Sequence, residues 1–308
     1  MTLHQGSSLE HFARIAAPRR WQDVYIQMLT ACFDAAPKES KQYKVLVVAG
    51  FASFAGIWKE FEERWTARLE QDCLDYFHAG EFAHSIGEFR NGWKENEPRR
   101  IALAGDLMEI IETCGLRKFG CAFRLDDFRN TQKRIEKKTG VRTMDSFAFA
   151  GMSSVQDFHA YASGERIVGN LRYVFEKGDP EDALRRCFRS YGFSEPDFAW
   201  SKPHTDRKGF SHDPFLGLQA AGWIAYEYYL DFDRLLYGER ITDRWALNKF
   251  EKIPGGLTIK SSGSLLPDIE AMNRGFVKSA ARIIESVDRL EAIRKKRVYE
   301  EETGNIFT

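Results

Sequence analysis

Residues 214–230 read PFLGLQAAGWIAYEYYL, an apolar stretch of helix length that enters directly from a polar loop. It reads as a buried helix near the end of a mixed α/β domain. Within it, Leu218, Gln219, Ala221, Ala225 and Tyr226 form the pattern Leu-Gln-x-Ala-x-x-x-Ala-Tyr. Gly222 stands inside that pattern, where glycine costs roughly 1 kcal/mol of helix stability against alanine. The expected compensation is the close approach of another backbone or of a large aromatic ring. Glu227 lies five residues further on, about 500° around a helix, and is expected to face a different direction.

Upstream, two apolar runs of strand length stand close together. Met28–Asp34 (MLTACFD) ends in an acid, and KVLVVAGFAS supplies Val45, Val47 and Val48. The polar connection Ala35–Tyr43 between them predicts an antiparallel hairpin. Trp58, Phe61, Trp65 and Leu69 then fall three and four apart among charged residues, the spacing of an amphipathic helix over 57–76. The aromatic and glycine-rich segment DYFHAGEFAHSIGEFRNGW has no clear period and reads as a loop. A second helix is marked by Leu103, Leu107, Ile110, Ile111 and Cys114, with Gly115 as its terminator. Further strands are expected at Phe119–Leu125, at Asn170–Glu176, again ending in an acid, and at Phe198–Lys202.

Helices are expected over Ser146–Ser163 and after Gly178, with Asp179 as N-cap and Pro180 at the first helical position. Pro203–Asp213 reads as a polar loop and Pro254-Gly255-Gly256 as a break. Phe276, Ala280, Ile283, Val287 and Leu290 trace one face of a helix from about 271 to 298. This order of elements is that of one three-layer α/β domain over residues 26–240, preceded by an arm (1–25) and followed by a helical extension packed on the same domain (241–308).

Composition narrows the classes of function. The chain has 308 residues, enough to bury a substantial core, and its 45 Lys plus Arg balance 45 Asp plus Glu. A neutral protein has no global field to collect nucleic acid, so any such site must be a local patch. Residues 126–144 supply one, with Arg129, Lys133, Arg134, Lys137, Lys138 and Arg142 against few acids. The stretch is either a solvated helix face or a phosphate-contacting surface. No apolar run reaches the ~20 residues that span a bilayer, so no membrane partner is expected. The N-terminus lacks the basic-then-apolar order of a signal peptide. Five widely spaced cysteines form no Cys-x-x-Cys pair, which argues for a reducing, cytoplasmic setting and against a zinc site.

The candidate chemistry rests on acids at strand ends. Asp34 and Glu176 each close a strand, and neighbouring strands would bring them together as the hard oxygen ligands that Mg2+ or Mn2+ requires. Each is equally the turn residue of the next element. His78 and Glu81 in YFHAGEF, three residues apart, suit ligation or acid–base work, or else a capped turn. His84 is less specific, and His204, Asp206, His212 and Asp213 cluster in the loop before the opening helix. There is no phosphate-binding Gly-rich loop, no Gly-x-Ser-x-Gly elbow and no His-Glu-x-x-His.

Taken in order over about two thirds of the chain, four pieces resemble the family catalogued as domain of unknown function 3800. They are the Asp34 strand with KVLVVAGFAS and the Trp58/Phe61/Trp65 helix, then YFHAGEF, then YVFEKGDP, then GLQAAGWIAYE. The resemblance implies a ribonuclease H-like fold, in which acids on the first strand, a later strand and a C-terminal helix hold one or two divalent ions for phosphodiester hydrolysis. It would make Asp34 the central ligand and Glu176 the second, assisted by His78 or Glu81. The chain departs from the family in two places. Ala35, Ala36 and Pro37 follow Asp34 where Glu-Ser-Gly is usual, and Gly222 stands where the helix usually carries an aspartate. The resemblance therefore implies a scaffold with a degenerate acidic site, binding nucleic acid through Lys133, Arg134, Lys137 and Lys138, or binding a protein partner. The alternative it implies is a Mg2+- or Mn2+-dependent nuclease or phosphodiesterase using Asp34 and Glu176.

Overall fold

The computed structural model describes residues 28–37, 43–140, 144–167, 169–178, 180–207, 209–236, 244–261, 263–265, 267–269 and 272. The expected arm over 1–25, the Asp179 cap, Arg142 and, apart from Met272, the helix expected over 271–298 lie outside these residues.

Six strands form one mixed sheet: β1 (Leu29–Ala36), β2 (Val45–Phe54), β3 (Arg117–Arg124), β4 (Leu171–Glu176), β5 (Asp197–Ala199) and, at the far edge, β8 (Gly255–Lys260). Their order across the sheet is β5-β4-β1-β2-β3-β8. β2 runs antiparallel to both neighbours, so β1 and β2 form the expected hairpin. The β1/β4, β4/β5 and β3/β8 pairs are parallel. β6 (His204–Thr205) and β7 (Ser211–His212) make a separate small hairpin.

The alternation of side chains along the strands sorts them into two apolar layers, and both faces are covered, as mixed sheets with parallel pairs require. Cys32, Ala36, Val45, Val47 and Phe51 face one layer. Three helices roof it: α1 (Ala55–Gln71), α3 (Glu97–Thr113) and α7 (Leu216–Leu236). Trp58, Phe61 and Trp65 of α1 and Leu218 and Ile224 of α7 are its buried anchors. Leu29, Ala31, Phe33, Leu46 and Val48 face the opposite layer. That layer is closed by α4 (Leu125–Thr139), α5 (Ser146–Gly164) and α6 (Glu181–Tyr191). Helix α7 lies close against β1: a Cβ on Gly217 would stand 2.9 Å from the Cys32 sulfur.

Several local expectations change: β1 runs two residues past Asp34 to Ala36, paired with β2, and the polar loop expected over 203–213 holds the β6–β7 hairpin. The segment read as a loop contains α2 (Ala79–His84) and a 3-10 turn at Gly87–Phe89. Its aromatics bury one another without a helical period, with Phe89 5.1 Å from Phe82 and 5.2 Å from Trp93. Helix α6 begins at Glu181 with Pro180 as its cap, one residue later than expected. The strand expected over 198–202 stops at Ala199, because the next two residues turn to serve the site described below. The extension beyond 240 is not wholly helical. After α8 (Trp245–Lys252), the Pro254-Gly255-Gly256 break turns the chain into β8, and the Lys118 amide donates to the Pro254 carbonyl (2.9 Å).

Candidate functional site

Strand β1 passes to β2 on one side of it, while β4 connects onward to β5 on the other. Where neighbouring parallel strands diverge in this way, their carboxyl ends open a crevice that the loops cannot cross. The last paired residues of β1 and β4 are Phe33 and Phe175. Asp34 and Glu176 follow them directly, side by side on strands about 4.8 Å apart. Both project to the α7 side, two residues beyond Cys32 and Val174 of that layer. The two acids singled out in the sequence thus share one end and one face of the sheet.

Both are buried, Asp34 at 9% and Glu176 at 6% exposure, and their carboxylates are held by backbone amides. Asp34 Oδ1 accepts from the Ala35 N–H at 2.7 Å. Its Oδ2 points at α7, where a Cβ on Gly222 would stand only 2.7 Å away. The group that approaches Gly222 is therefore neither a backbone nor an aromatic ring, as expected from the sequence, but the Asp34 carboxylate. The neighbouring Trp223 turns into the apolar layer, 5.0 Å from Phe77 and 5.3 Å from Phe250. Glu227 does face elsewhere and pairs with Arg244.

Glu176 is clasped by the residues that end β5 early. The Ser201 N–H donates to both of its oxygens, at 3.2 and 3.0 Å. The Ser201 carbonyl in turn accepts from Gln219 Nε2 of α7 (2.9 Å). Gln219 Oε1 accepts from the Trp65 indole N–H of α1 (2.8 Å) and from the Phe77 amide (3.0 Å). One buried amide thus ties two helices, the turn before α2 and the loop that holds Glu176. Its isolation among the apolar residues that open α7 is the readable signal of this role. Ser201 carried no signal at all, because it acts through its backbone.

His78 and Glu81 have structural partners. His78 caps α2, its Nδ1 accepting from the Glu81 N–H at 3.2 Å. The Glu81 carboxylate takes Lys202 Nζ at 2.5 Å and the Tyr76 hydroxyl at 2.8 Å. Burial pushes the Glu81 carboxyl up, but the Lys202 and Tyr76 hydrogen bonds outweigh it and hold it below the usual glutamate range. Burial, then the same carboxylate, raise the Tyr76 phenol. Since Lys202 follows Ser201, this ion pair and the Glu176 clasp share one loop. His84 and Asp213 are exposed. Trp200, just before Ser201, stacks on His204 with ring centres 4.0 Å apart.

The basic stretch is helix α4. Leu125, Phe128, Thr131 and Ile135 are buried, leaving Lys133, Arg134, Lys137 and Lys138 exposed together on the outer face. Asp126 and Asp127 in its first turn and Lys137 and Lys138 in its last match the helix dipole. Because α4 closes the Phe33 layer, the basic face and the acid pair lie on opposite sides of the sheet. Four of the five cysteines are buried and all are free. Burial pushes the Cys121 thiol up to about 12 and Cys187 to about 11, so both are core residues and not nucleophiles.

Among the described residues no three His, Cys, Asp or Glu side chains converge as a metal-binding group, and no helix is long and apolar enough to cross a membrane. No protein-family model matches the chain, and comparison with curated proteins and with solved structures yields no match.

Proposed function

We propose that this chain is a ribonuclease H-like protein with a degenerate acidic site, which binds nucleic acid and does not cut it. The observation that carries the reading is the contact between Asp34 and Gly222. Asp34 Oδ2 is the group nearest to where a side chain at 222 would begin, and glycine puts no carboxylate there, so α7 adds no ligand to the pair from that position. Supporting the fold reading, one acid stands on β1 just past its last pair with β4 and another ends β4, its parallel neighbour, with one helix laid across both.

A two-metal centre clamps the attacking and leaving oxygens with ions about 3.5–4 Å apart and needs carboxylates from several sides. Two acids on one side, each already held by a backbone N–H, do not fit that group. The exposed lysines and arginine of α4 are suited to phosphates. Their place across the sheet means that the α4 face by itself does not present a strand to Asp34 and Glu176.

Two measurements test the proposal. Labelled single- and double-stranded DNA and RNA, incubated with Mg2+ or Mn2+, should be degraded no faster by wild type than by Asp34→Asn. Hydrolysis that wild type alone performs would establish the metal-dependent phosphodiesterase in its place. Binding should weaken steeply with salt. Replacing Lys133, Arg134, Lys137 and Lys138 by glutamate should lower affinity by tenfold or more at low salt and flatten the salt dependence. Unchanged affinity would make α4 an ordinary solvated face.

A further inference from the structure

We infer that Trp200 and the β6–β7 hairpin form a stacking platform for unpaired bases beside the loop that holds Glu176, an inference that rests on the nucleic-acid reading above. Three neighbouring rings, with the exposed Phe210 of the same hairpin, make the platform. Trp200 and His204 are stacked at 4.0 Å with planes 29° apart, and His204 lies 6.4 Å from His212, its partner across the hairpin, at 26°. The hairpin is fixed before any ligand arrives. The Asp206 and Phe210 backbones pair at 2.9 Å, and the Phe210 N–H also donates to Asp206 Oδ1 at 2.9 Å. Gly209 supplies the positive φ, +84°, that the turn needs.

This well-tied turn nevertheless leaves Phe210 63% exposed and His212 open to solvent. Cations flank the rings. Lys177, the residue after Glu176, has its ammonium 5.7 Å from the centre of the Trp200 ring, and Arg207 is exposed on the turn. Rings that accept any base by its π face, next to cations that meet the phosphates between bases, are how unpaired strands are held without sequence preference. A paired duplex keeps its base faces stacked on one another and has none to offer. The platform is also placed by the site itself, since Trp200 lies between the end of β5 and the Ser201 that clasps Glu176.

The test uses the full chain and fluorescence anisotropy with two labelled probes. One is oligo-dT of about 20 nucleotides, longer than the ~4–16 that such surfaces cover. The other is a blunt duplex of similar length. Phe210→Ser and His212→Ala change exposed side chains, and unfolding midpoints equal to wild type verify that the fold is kept. Each should weaken oligo-dT binding at least about fivefold, leave duplex binding unchanged and leave the salt slope unchanged. His212→Phe should retain oligo-dT binding, since it keeps a ring. The α4 charge reversal should instead lower affinity for both probes and flatten the slope. If Phe210→Ser and His212→Ala bind oligo-dT as wild type does, the platform is overturned while nucleic-acid binding through α4 stands. If wild type binds neither probe, both readings fail.

Discussion

Gln219→Leu is expected to destabilise the protein by about 3–6 kcal/mol, although leucine matches the apolar character of the rest of α7. The substitution leaves the Trp65 indole N–H, the Phe77 amide N–H and the Ser201 carbonyl buried without their partner. Each buried polar group deprived of its hydrogen bond costs roughly 1–3 kcal/mol, and the gain from one more apolar side chain offsets only part of that sum. Urea unfolding followed by tryptophan fluorescence measures the loss. Gln219→Glu makes the complementary test, because it keeps an acceptor for Trp65 and Phe77 but loses the donor to Ser201. A carboxyl buried there has its folded pKa raised, so the deficit relative to wild type should shrink as pH falls and the group protonates. A Gln219→Leu protein within 1 kcal/mol of wild type would show that the amide is not the tie that holds the Glu176 loop.

Gly222→Asp, which would bring α7 into line with the pattern the chain resembles, is expected to damage the site and not to complete it. The new Cβ alone would stand 2.7 Å from Asp34 Oδ2, nearer than such atoms pack, and the new carboxylate would add a like charge beside a buried acid. Overpacking costs about 1–3 kcal/mol, and an uncompensated charge adds to it, giving an expected loss of about 2–4 kcal/mol. Asp34→Ala in the same chain should recover a large part, so that the double-mutant cycle shows a favourable coupling. Gly222→Ala should fall between the two, gaining roughly 1 kcal/mol of helix propensity against the same contact. Thermal and urea unfolding of the four variants and wild type decide the matter. A Gly222→Asp chain as stable as wild type, with Mg2+-dependent hydrolysis that wild type lacks, would mean that Asp34 moves aside readily. The degenerate site would then be one substitution from a metal centre.

The two predictions share a cause, the closeness of α7 to the carboxyl edge of the sheet, and that closeness was only half legible. Gly222 announced that something approaches the helix, since glycine is a poor interior residue. The sequence reading named a backbone or an aromatic ring because those are the usual occupants of such a gap. That the occupant is the carboxylate of a residue 188 positions earlier depends on how the helix crosses β1, which no local pattern encodes. Gln219 was equally visible as one amide among apolar residues, yet its three partners come from α1, the turn before α2 and the loop after β5. His78 and Glu81 went the other way. Their three-residue spacing is equally that of a cap with the third residue of its helix, and the structure shows this local arrangement, with Glu81 drawn off by Lys202.

What the sequence determined by itself was the central strands and most of the helices that cover them, without α2, the β6–β7 hairpin or β8. Val45, Val47 and Val48 favour a strand, because β-branched residues suit a pleated, half-buried surface. The spacing of Trp58, Phe61 and Trp65 permits a helix with one buried face, and acids at the ends of two apolar runs mark a polar end of the sheet, although both carboxylates are buried there. The mixed sheet flanked by helices follows from these. Only the tertiary structure decided that β1 and β4 are neighbours, and therefore that Asp34 and Glu176 stand side by side at one end of the sheet. It also decided that the basic face of α4 lies across the sheet from them. Strand pairing between distant segments is fixed by the burial of both faces at once, a property of the assembled layers that no single stretch of chain contains.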